Sequence, residues 1–284
     1  MEAKGTSAFG RPVSGPVETA ASRAAALSRH RFRLEQPAWA PVLVSVLGFL
    51  AMVGVLFVVG EALTRSGLFA AVRDWDLHVN QTLADHRNSG LDRFSELGSK
   101  LADTWSVVIV GLLVEGVLAL RRRWRDLLVV FVGLTVELSV FFTVNETVRR
   151  PRPSVVRLGS VPSTFSFPSG HTAATVVLYG TIVLLVTLNY QSALPKVLGW
   201  LFVLFVTAAV GYARVYRGMH HVTDVTAGAL MGLGSLTVAV IATRASSLAM
   251  ERESVSEPGR HGAAGELAHG RRSRELSSSE GVQA

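Results

Sequence analysis

Six long apolar runs divide this chain and constrain its fold more than any other feature. A run of about 20 apolar residues is long enough to cross the hydrocarbon core of a bilayer as a helix. Inside the bilayer each such run must satisfy its own backbone polar groups, which a helix does. The sequence therefore predicts an all-α membrane protein with six transmembrane helices in a bundle. The runs cover about 39–60, 104–120, 127–148, 171–190, 197–213 and 225–243.

The polar segments complete the predicted organisation. Residues 1–38 are rich in Ala, Ser, Gly and Arg and are predicted to be a disordered basic tail, and 245–284 a second disordered tail. The six-helix domain spans 39–244. Between the first two runs, apolar residues recur at helical spacing and predict short surface helices in an external loop. One carries Leu77, Val79 and Leu83, and the other Leu91, Phe94, Leu97 and Leu101.

Basic residues orient the predicted bundle. Six crossings put both termini on one side, together with the cluster Arg121–Arg125. The positive-inside rule makes this side cytoplasmic. We expect an integral protein of the plasma membrane, in bacteria the inner membrane, with both termini in the cytoplasm.

The composition excludes several classes of function. The net charge of +7 comes without any nucleic-acid motif, so it is interpreted as membrane anchoring and no nucleic-acid partner is expected. The chain has no cysteine, which excludes disulfides, thiolate metal sites and a cysteine nucleophile.

Three short motifs follow or precede apolar runs at what this topology makes the external face. Arginines, two histidines and a carboxylate gathered there suit a phosphate group, because a guanidinium binds phosphate bidentately and stays protonated. Arg152 and Arg214 are the main candidates, with Arg150 assisting. The alternative for the first motif is an anchor for lipid headgroups. The motifs are Arg149-Arg150-Pro151-Arg152-Pro153, Pro168-Ser169-Gly170-His171, and Arg214 with His220 and Asp224.

The second motif directly precedes the fourth run. Gly170 lets the backbone approach an anion, and the helix that follows offers unpaired N–H groups. Ser169 can donate its hydroxyl, and His171 lies in the first helical turn. Alternatively, His171 is an ordinary interfacial histidine.

In the third motif, His220 and Asp224 are four residues apart, so a helical turn would bring them onto one face. A hydrogen bond from His220 to Asp224 would fix the imidazole tautomer and free the other nitrogen for attack. The alternative is a structural His–Asp pair at a helix start. His221 is interpreted as structural. A metal site is not expected, because arginines would repel a cation and further ligands are missing.

On these residues the chain resembles the type 2 phosphatidic acid phosphatase superfamily. That family carries Lys, six residues and Arg-Pro, then Pro-Ser-Gly-His, then Ser-Arg, five residues, His, three residues and Asp. Arg152-Pro153, Pro168–His171 and Arg214, His220 and Asp224 match it. Asn145 stands at the lysine position and Ala213 at the serine position. Asn145 can still donate a hydrogen bond, and Arg149, one helical turn further, is a possible substitute for the lysine charge.

The resemblance implies hydrolysis of a lipid phosphate in the membrane, without metal or other cofactor. Phosphatidate, phosphatidylglycerol phosphate and polyprenyl diphosphate are the implied substrates. His220 would form a phosphohistidine, Asp224 would orient it and His171 would protonate the leaving oxygen. The phosphoryl oxygens would contact Ser169, Gly170, Arg152 and Arg214. Oligomeric state is not implied.

Three alternatives stay open. A soluble vanadate-dependent haloperoxidase shares this type of anion pocket, but six apolar runs argue against it. A lipid phosphotransferase would pass the phosphoryl group to an alcohol instead of water. A catalytically idle, lipid-binding relative is the third, and Asn145 is the feature that supports it.

Overall fold

The structure, a computed structural model, describes residues 39–160, 163–188 and 190–256. Its regular elements in these ranges are all helical, which confirms the predicted all-α class. A 3₁₀ turn, Gly67–Phe69, joins the first two helices. The helices are α1 Ala40–Arg65, α2 Ala70–Asp85, α3 Ser89–Leu101, α4 Thr104–Leu120, α5 Trp124–Val148, α6 Gly170–Thr187, α7 Ala193–Tyr216 and α8 Val222–Ser256.

The described helices provide five candidate membrane spans, or six if α3 and α4 together form one. Five of them, α1, α5, α6, α7 and the Val222–Arg244 part of α8, are long and apolar enough to span a bilayer. With 17 residues, α4 is slightly short for a crossing. It passes the same test together with α3, across a bend of 44°. These spans are those of an integral membrane protein, and they agree with the predicted six-helix layout if α3 and α4 form the second crossing together.

Helix boundaries lie within a few residues of the predicted ones, except at the C-terminal end. There α8 continues to Ser256, so the prediction of a disordered tail from 245 onward is corrected for 245–256. Seven of these twelve residues are the helix formers Ala, Leu, Met, Glu or Arg, none is Gly or Pro, and the stretch extends a helix that is already nucleated. The predicted tails 1–38 and 257–284 lie outside the described residues.

The centre of the bundle is α8, which packs against α1, α5 and α6. A cluster of aliphatic side chains from these four helices, with Phe167 from the loop before α6, forms the main core. The outer faces of α1, α4 and α7 leave large apolar side chains exposed, as a lipid-facing surface requires. Examples are Leu47, Leu113 and Phe205.

Two connections place the motifs at one end of the bundle. The chain between α5 and α6 carries the first motif and leads into the second. The turn between α7 and α8 contains Gly218, whose φ of +70° favours glycine because it has no Cβ. A Cβ at Gly218 would also lie 2.8 Å from Val155 Cγ2 and 3.2 Å from the Val156 carbonyl oxygen. This close approach brings the α7–α8 turn against the α5–α6 connection.

Candidate active site

Direct hydrogen bonds bring the three sequence motifs together. Arg152 Nη1 donates to the Met219 carbonyl oxygen at 2.5 Å, beside His220. The backbone N–H of Ser169 donates to the Asp224 carbonyl oxygen at 3.0 Å, and the N–H of His220 lies 3.3 Å from the Arg214 carbonyl oxygen. The first motif therefore contacts the third, and the second contacts the third as well.

His220 is held in one tautomer by the loop before α6. Its Nδ1 lies 2.7 Å from the carbonyl oxygen of Ser166. A carbonyl only accepts, so Nδ1 carries the proton and Nε2 keeps its lone pair when the ring is neutral. The side chain is 3% exposed, and burial, with the positive charges of Arg214 and Arg152, holds the pKa of His220 well below its usual value. A neutral imidazole with a free Nε2 is the form that can act as a nucleophile.

Asp224 does not make the expected hydrogen bond to His220. Its Oδ2 is 3.9 Å from His220 Nδ1 and instead accepts from Ser166 Oγ at 2.5 Å and from the His221 N–H at 2.8 Å. The four-residue spacing failed as a guide because α8 begins only at Val222, so His220 is not part of the helix. Asp224 therefore orients His220 indirectly, through the residue whose carbonyl holds the ring.

Arg214 presents unpaired donors to this cluster. Its Nη1 donates to Ser99 Oγ at 2.8 Å, whereas Nε and Nη2 are buried and have no hydrogen-bond partner among the described residues. The residue is 5% exposed. A buried guanidinium with unsatisfied N–H groups is costly unless an anion binds it, so this edge is suited to phosphate oxygens.

Arg152 brings a positive charge to the site and also binds backbone carbonyl groups around it. It donates to the carbonyl oxygens of Thr164, Phe165 and Met219, all of which are neutral acceptors. Burial lowers the pKa of Arg152, partly offset by the carboxylate of Asp224. Its positive charge therefore faces the site without a direct carboxylate partner in the described part of the chain.

The second motif forms the start of α6, as predicted. Ser169 is the N-cap residue, but its hydroxyl contacts Thr172 Oγ1 at 3.0 Å instead of capping the helix. The first-turn N–H groups, including that of Gly170, therefore lack a side-chain cap and can receive an anion. A Cβ at Gly170 would lie 3.0 Å from the Phe141 ring, so close packing also favours glycine there. His171 is close enough that its positive charge would help lower the pKa of His220.

The two remaining arginines of the first motif differ. Arg150 is buried and forms ion pairs with Asp224 at 2.6 Å and with Asp76 at 2.9 Å. Arg149 follows the last residue of α5 and has a left-handed backbone conformation. Its Nη2 lies 3.8 Å from Glu146 Oε2, and its guanidinium lies over the Phe165 ring. Neither guanidinium is free for phosphate as the sequence suggested. Arg150 is bound by two carboxylates, and Arg149 lies at the surface beside Glu146 and Phe165.

Asn145, at the position where the resemblance expects a lysine, is fully buried and fastens the loop before α6. Its Nδ2 donates to the carbonyl oxygens of Phe165 and Phe167, both at 3.0 Å, and its Oδ1 accepts from the Phe165 N–H at 2.9 Å. Its polar atoms are thus engaged on both sides of Ser166. Asn145 positions the loop that holds His220, and its amide has no free donor directed at a ligand.

Several site residues escaped sequence reasoning. Asp76 and Asn80 are fully buried on α2, where Asn80 donates to the His220 carbonyl oxygen at 3.1 Å. Ser166 and Ser99 supply the contacts to His220 and Arg214 described above. The available signal was the four-residue spacing of Asp76 and Asn80, which puts two polar side chains on one face of a predicted surface helix.

Within residues 39–160, 163–188 and 190–256 the structure shows no candidate metal site. No group of three or more His, Asp or Glu side chains there has an arrangement that could hold a metal ion. Metal-independent chemistry stays a prediction.

The chain is similar to known membrane phosphatases. Residues 126–247 match the PAP2 superfamily. Phosphatidylglycerophosphatase B of Bacillus subtilis (strain 168) is 34% identical over 129 residues, which are 45% of this chain and 61% of that protein. An undecaprenyl-diphosphatase of Sulfolobus acidocaldarius is 41% identical over 73 residues, 25% of this chain and 30% of that protein. The chain thus spans about three fifths, or less, of these relatives' length.

A solved structure shares the fold. It is the crystal structure of the first transmembrane PAP2 type phosphatidylglycerolphosphate phosphatase from Bacillus subtilis, with a TM-score of 0.52 and 23% sequence identity. The match covers 78% of this chain and 100% of the other. At this identity the likeness supports the helical architecture.

Proposed function

We propose that this chain is a PAP2-type membrane phosphatase that hydrolyses lipid phosphates or diphosphates, because residues 126–247 match the PAP2 superfamily. Two observations carry this proposal: His220 Nδ1 contacts the Ser166 carbonyl oxygen, which leaves the Nε2 lone pair available in the neutral ring, and Arg214 has buried guanidinium N–H groups without a partner among the described residues. One supplies a nucleophile and the other supplies donors for phosphoryl oxygens, the two needs of phosphoryl transfer.

The names of the relatives support the substrate class. One is a phosphatidylglycerophosphatase and another an undecaprenyl-diphosphatase. Both act on a phosphate carried by a lipid, which agrees with a site at the end of a transmembrane bundle. Phosphatidate, phosphatidylglycerol phosphate and polyprenyl diphosphate are therefore the substrates to test first.

In the first chemical step, Nε2 of His220 attacks phosphorus. The Nε2–P bond forms while the bond between phosphorus and the lipid oxygen breaks, and His171, entering the step as an imidazolium, gives its proton to that oxygen and becomes neutral. Arg214, Arg152, the Ser169 hydroxyl and the first-turn N–H of Gly170 hold the phosphoryl oxygens. The ring becomes cationic, and the Ser166 carbonyl still accepts the Nδ1 proton.

In the second step, a water molecule takes the phosphoryl group from His220. His171 takes a proton from water, whose oxygen attacks phosphorus, and the Nε2–P bond breaks to release phosphate and a neutral His220. The positive charges around the site disfavour a bound cation, so we expect no metal requirement. An alcohol in place of water would turn the same site into a phosphotransferase.

Release of inorganic phosphate by the full-length protein in detergent, from these three lipids, tests the proposal. We expect turnover from at least one lipid, loss of turnover in His220→Ala and Asp224→Ala, and no effect of EDTA. The exposed His78→Ala is the matched control and should retain full activity. Absence of phosphate release from all three lipids would support an idle relative, and transfer to added lipid alcohols would support a phosphotransferase.

The proposal also places the site on the external face of the membrane. The motifs lie at one end of the spans, and the basic cluster Arg121–Arg125 lies at the other end of α5. The cysteine-free sequence allows single-cysteine reporters. A membrane-impermeant maleimide should label Ser154→Cys on intact cells and Arg125→Cys only after permeabilisation. The reverse pattern would invert the topology.

A further inference from the structure

A buried ion network lies behind His220 and reaches outside the matched family segment. Asp76 on α2 accepts from Arg150 Nη2 at 2.9 Å, from the Thr223 N–H at 3.1 Å and from Thr223 Oγ1 at 2.5 Å. Arg150 Nη1 in turn donates to Asp224 Oδ1 at 2.6 Å. Asp76 and Asp224 are fully buried, and Arg150 is 3% exposed.

The network carries surplus negative charge. Arg150 is shared between two carboxylates, so the three side chains sum to a formal charge of −1. Without Asp76, Arg150 and Asp224 would form a neutral pair. Asp224 Oδ2 lies 3.9 Å from His220 Nδ1.

The other groups around His220 are positive or neutral. Arg214 from α7 and Arg152 from the α5–α6 connection raise the local positive potential, and His171 from α6 is near enough to help lower the pKa of His220. Asp224 from α8 is the one group of opposite sign that these contacts bring near the ring in the described part of the chain. A cationic ring during phosphoryl transfer is therefore unfavourable in these surroundings. It is stabilised only if part of the negative charge behind it remains uncancelled.

We propose that Asp76 is a positioning residue of the active site: by binding the far side of Arg150, it leaves Asp224 with uncancelled charge that stabilises the cationic phosphohistidine. This inference rests on the proposed function. It adds a residue from α2, fifty residues before the matched segment 126–247 begins. Asp76 also fixes Thr223 at the start of α8, which keeps Asp224 in register with Ser166.

A purely structural role is the competing explanation, because Asp76 also docks α2 onto α8. The two roles predict opposite pH effects. If the charge of Asp76 acts on His220, its removal disfavours the imidazolium and moves the acid limb of the pH profile to lower pH. If removal only loosens the site, water enters, and the limb moves upward toward the ordinary histidine pKa.

The test compares Asp76→Asn with the matched control Asp74→Asn, an exposed aspartate on the same helix. Phosphate release from the best lipid is measured from pH 4.5 to 8, and the same substrate is used throughout so that its own ionisation cancels. We expect Asp76→Asn to lower kcat about 10–100-fold with KM nearly unchanged, and to shift the acid limb downward. Asp74→Asn should match wild type.

A second measurement does not need turnover. Orthovanadate is a phosphate analogue that can bond to an imidazole nitrogen, and its affinity is measured by calorimetry on the detergent-purified protein. Asp76→Asn should weaken vanadate binding about tenfold, and His220→Ala should abolish it. A wild type that binds vanadate in this Asp76-dependent way but releases no phosphate would refute the proposed function and leave the role of Asp76 standing.

Three results would overturn the role of Asp76: unchanged kcat, an upward shift of the acid limb, or unchanged vanadate affinity in Asp76→Asn. Gel filtration and thermal unfolding in the same detergent show whether the variant is folded. If Asp76→Asn unfolds, Asp76→Glu, which keeps the charge, provides the comparison. It should then recover at least a tenth of wild-type turnover, and failure to do so counts against the charge role.

Discussion

His220 Nδ1 lies 2.7 Å from the carbonyl oxygen of Ser166, whereas the Asp224 carboxylate stays 3.9 Å from the same nitrogen. The histidine is therefore oriented by a backbone carbonyl, and the aspartate acts on that loop through the Ser166 hydroxyl. The loop is in turn fastened by Asn145. The geometry of the reactive ring thus depends on a short chain of neutral contacts as well as on charge.

Activity should persist at acidic pH. Burial and the positive charges of Arg214 and Arg152 lower the pKa of His220, so the ring stays neutral below the usual value of 6.5. The neutral form is the nucleophile, and turnover is lost only as the pH falls through this depressed pKa. We expect the acid limb of kcat/KM, corrected for ionisation of the substrate phosphate, to lie below pH 6.5. A limb above this value would contradict the burial of His220.

Arg214→Lys should be severely impaired. Lysine keeps the charge but cannot present the planar fork whose Nε and Nη2 are unpaired in the structure. We expect a loss of about 10²–10³-fold in kcat, measured by phosphate release. Arg125→Lys, at an exposed position, is the matched control and should behave as wild type. Near-normal turnover of Arg214→Lys would show that the guanidinium fork does not hold the phosphoryl group.

Asn145→Lys should lower activity although it restores the residue that the family pattern expects. The lysine cannot accept from the Phe165 N–H and would place a charge where a fully buried amide now makes three hydrogen bonds. We expect a lower thermal midpoint and at least about tenfold slower phosphate release. Ser154→Lys adds the same charge at an exposed position and should leave both unchanged. Faster turnover in Asn145→Lys would mean that this position contacts the substrate.

Gly228→Ala should disrupt the junction between α6 and α8. A Cβ at Gly228 would clash with the Ser169 carbonyl oxygen, which is backbone and cannot move without shifting the second motif. We expect lower thermal stability and at least about tenfold lower turnover. Gly116→Ala is the control, because nothing lies within 4 Å of its Cβ and alanine favours the helix. Normal activity of Gly228→Ala would contradict the close packing.

Apolar run length predicted the helices well, because a bilayer crossing demands both length and hydrophobicity. The motif residues could be recognised because phosphate chemistry restricts side-chain types. The structure brings the three motifs into contact, but Arg150 binds two carboxylates and Asp224 makes no hydrogen bond to His220. The contact between His220 and Ser166 could not be predicted, since it depends on where α8 starts. Asp76 also escaped prediction, because its importance comes from tertiary contacts with Arg150 and Thr223 that no local spacing encodes.

The contacts that α2 makes have a practical consequence for engineering. Asn80 donates to the backbone on both sides of the α7–α8 turn, and Asp76 holds the first turn of α8. A fragment trimmed to 126–247 would lose both supports while keeping every signature residue. Chimeras that exchange substrate preference between relatives should therefore be joined upstream of residue 70. Helix α2 is then kept together with α7 and α8, which it contacts.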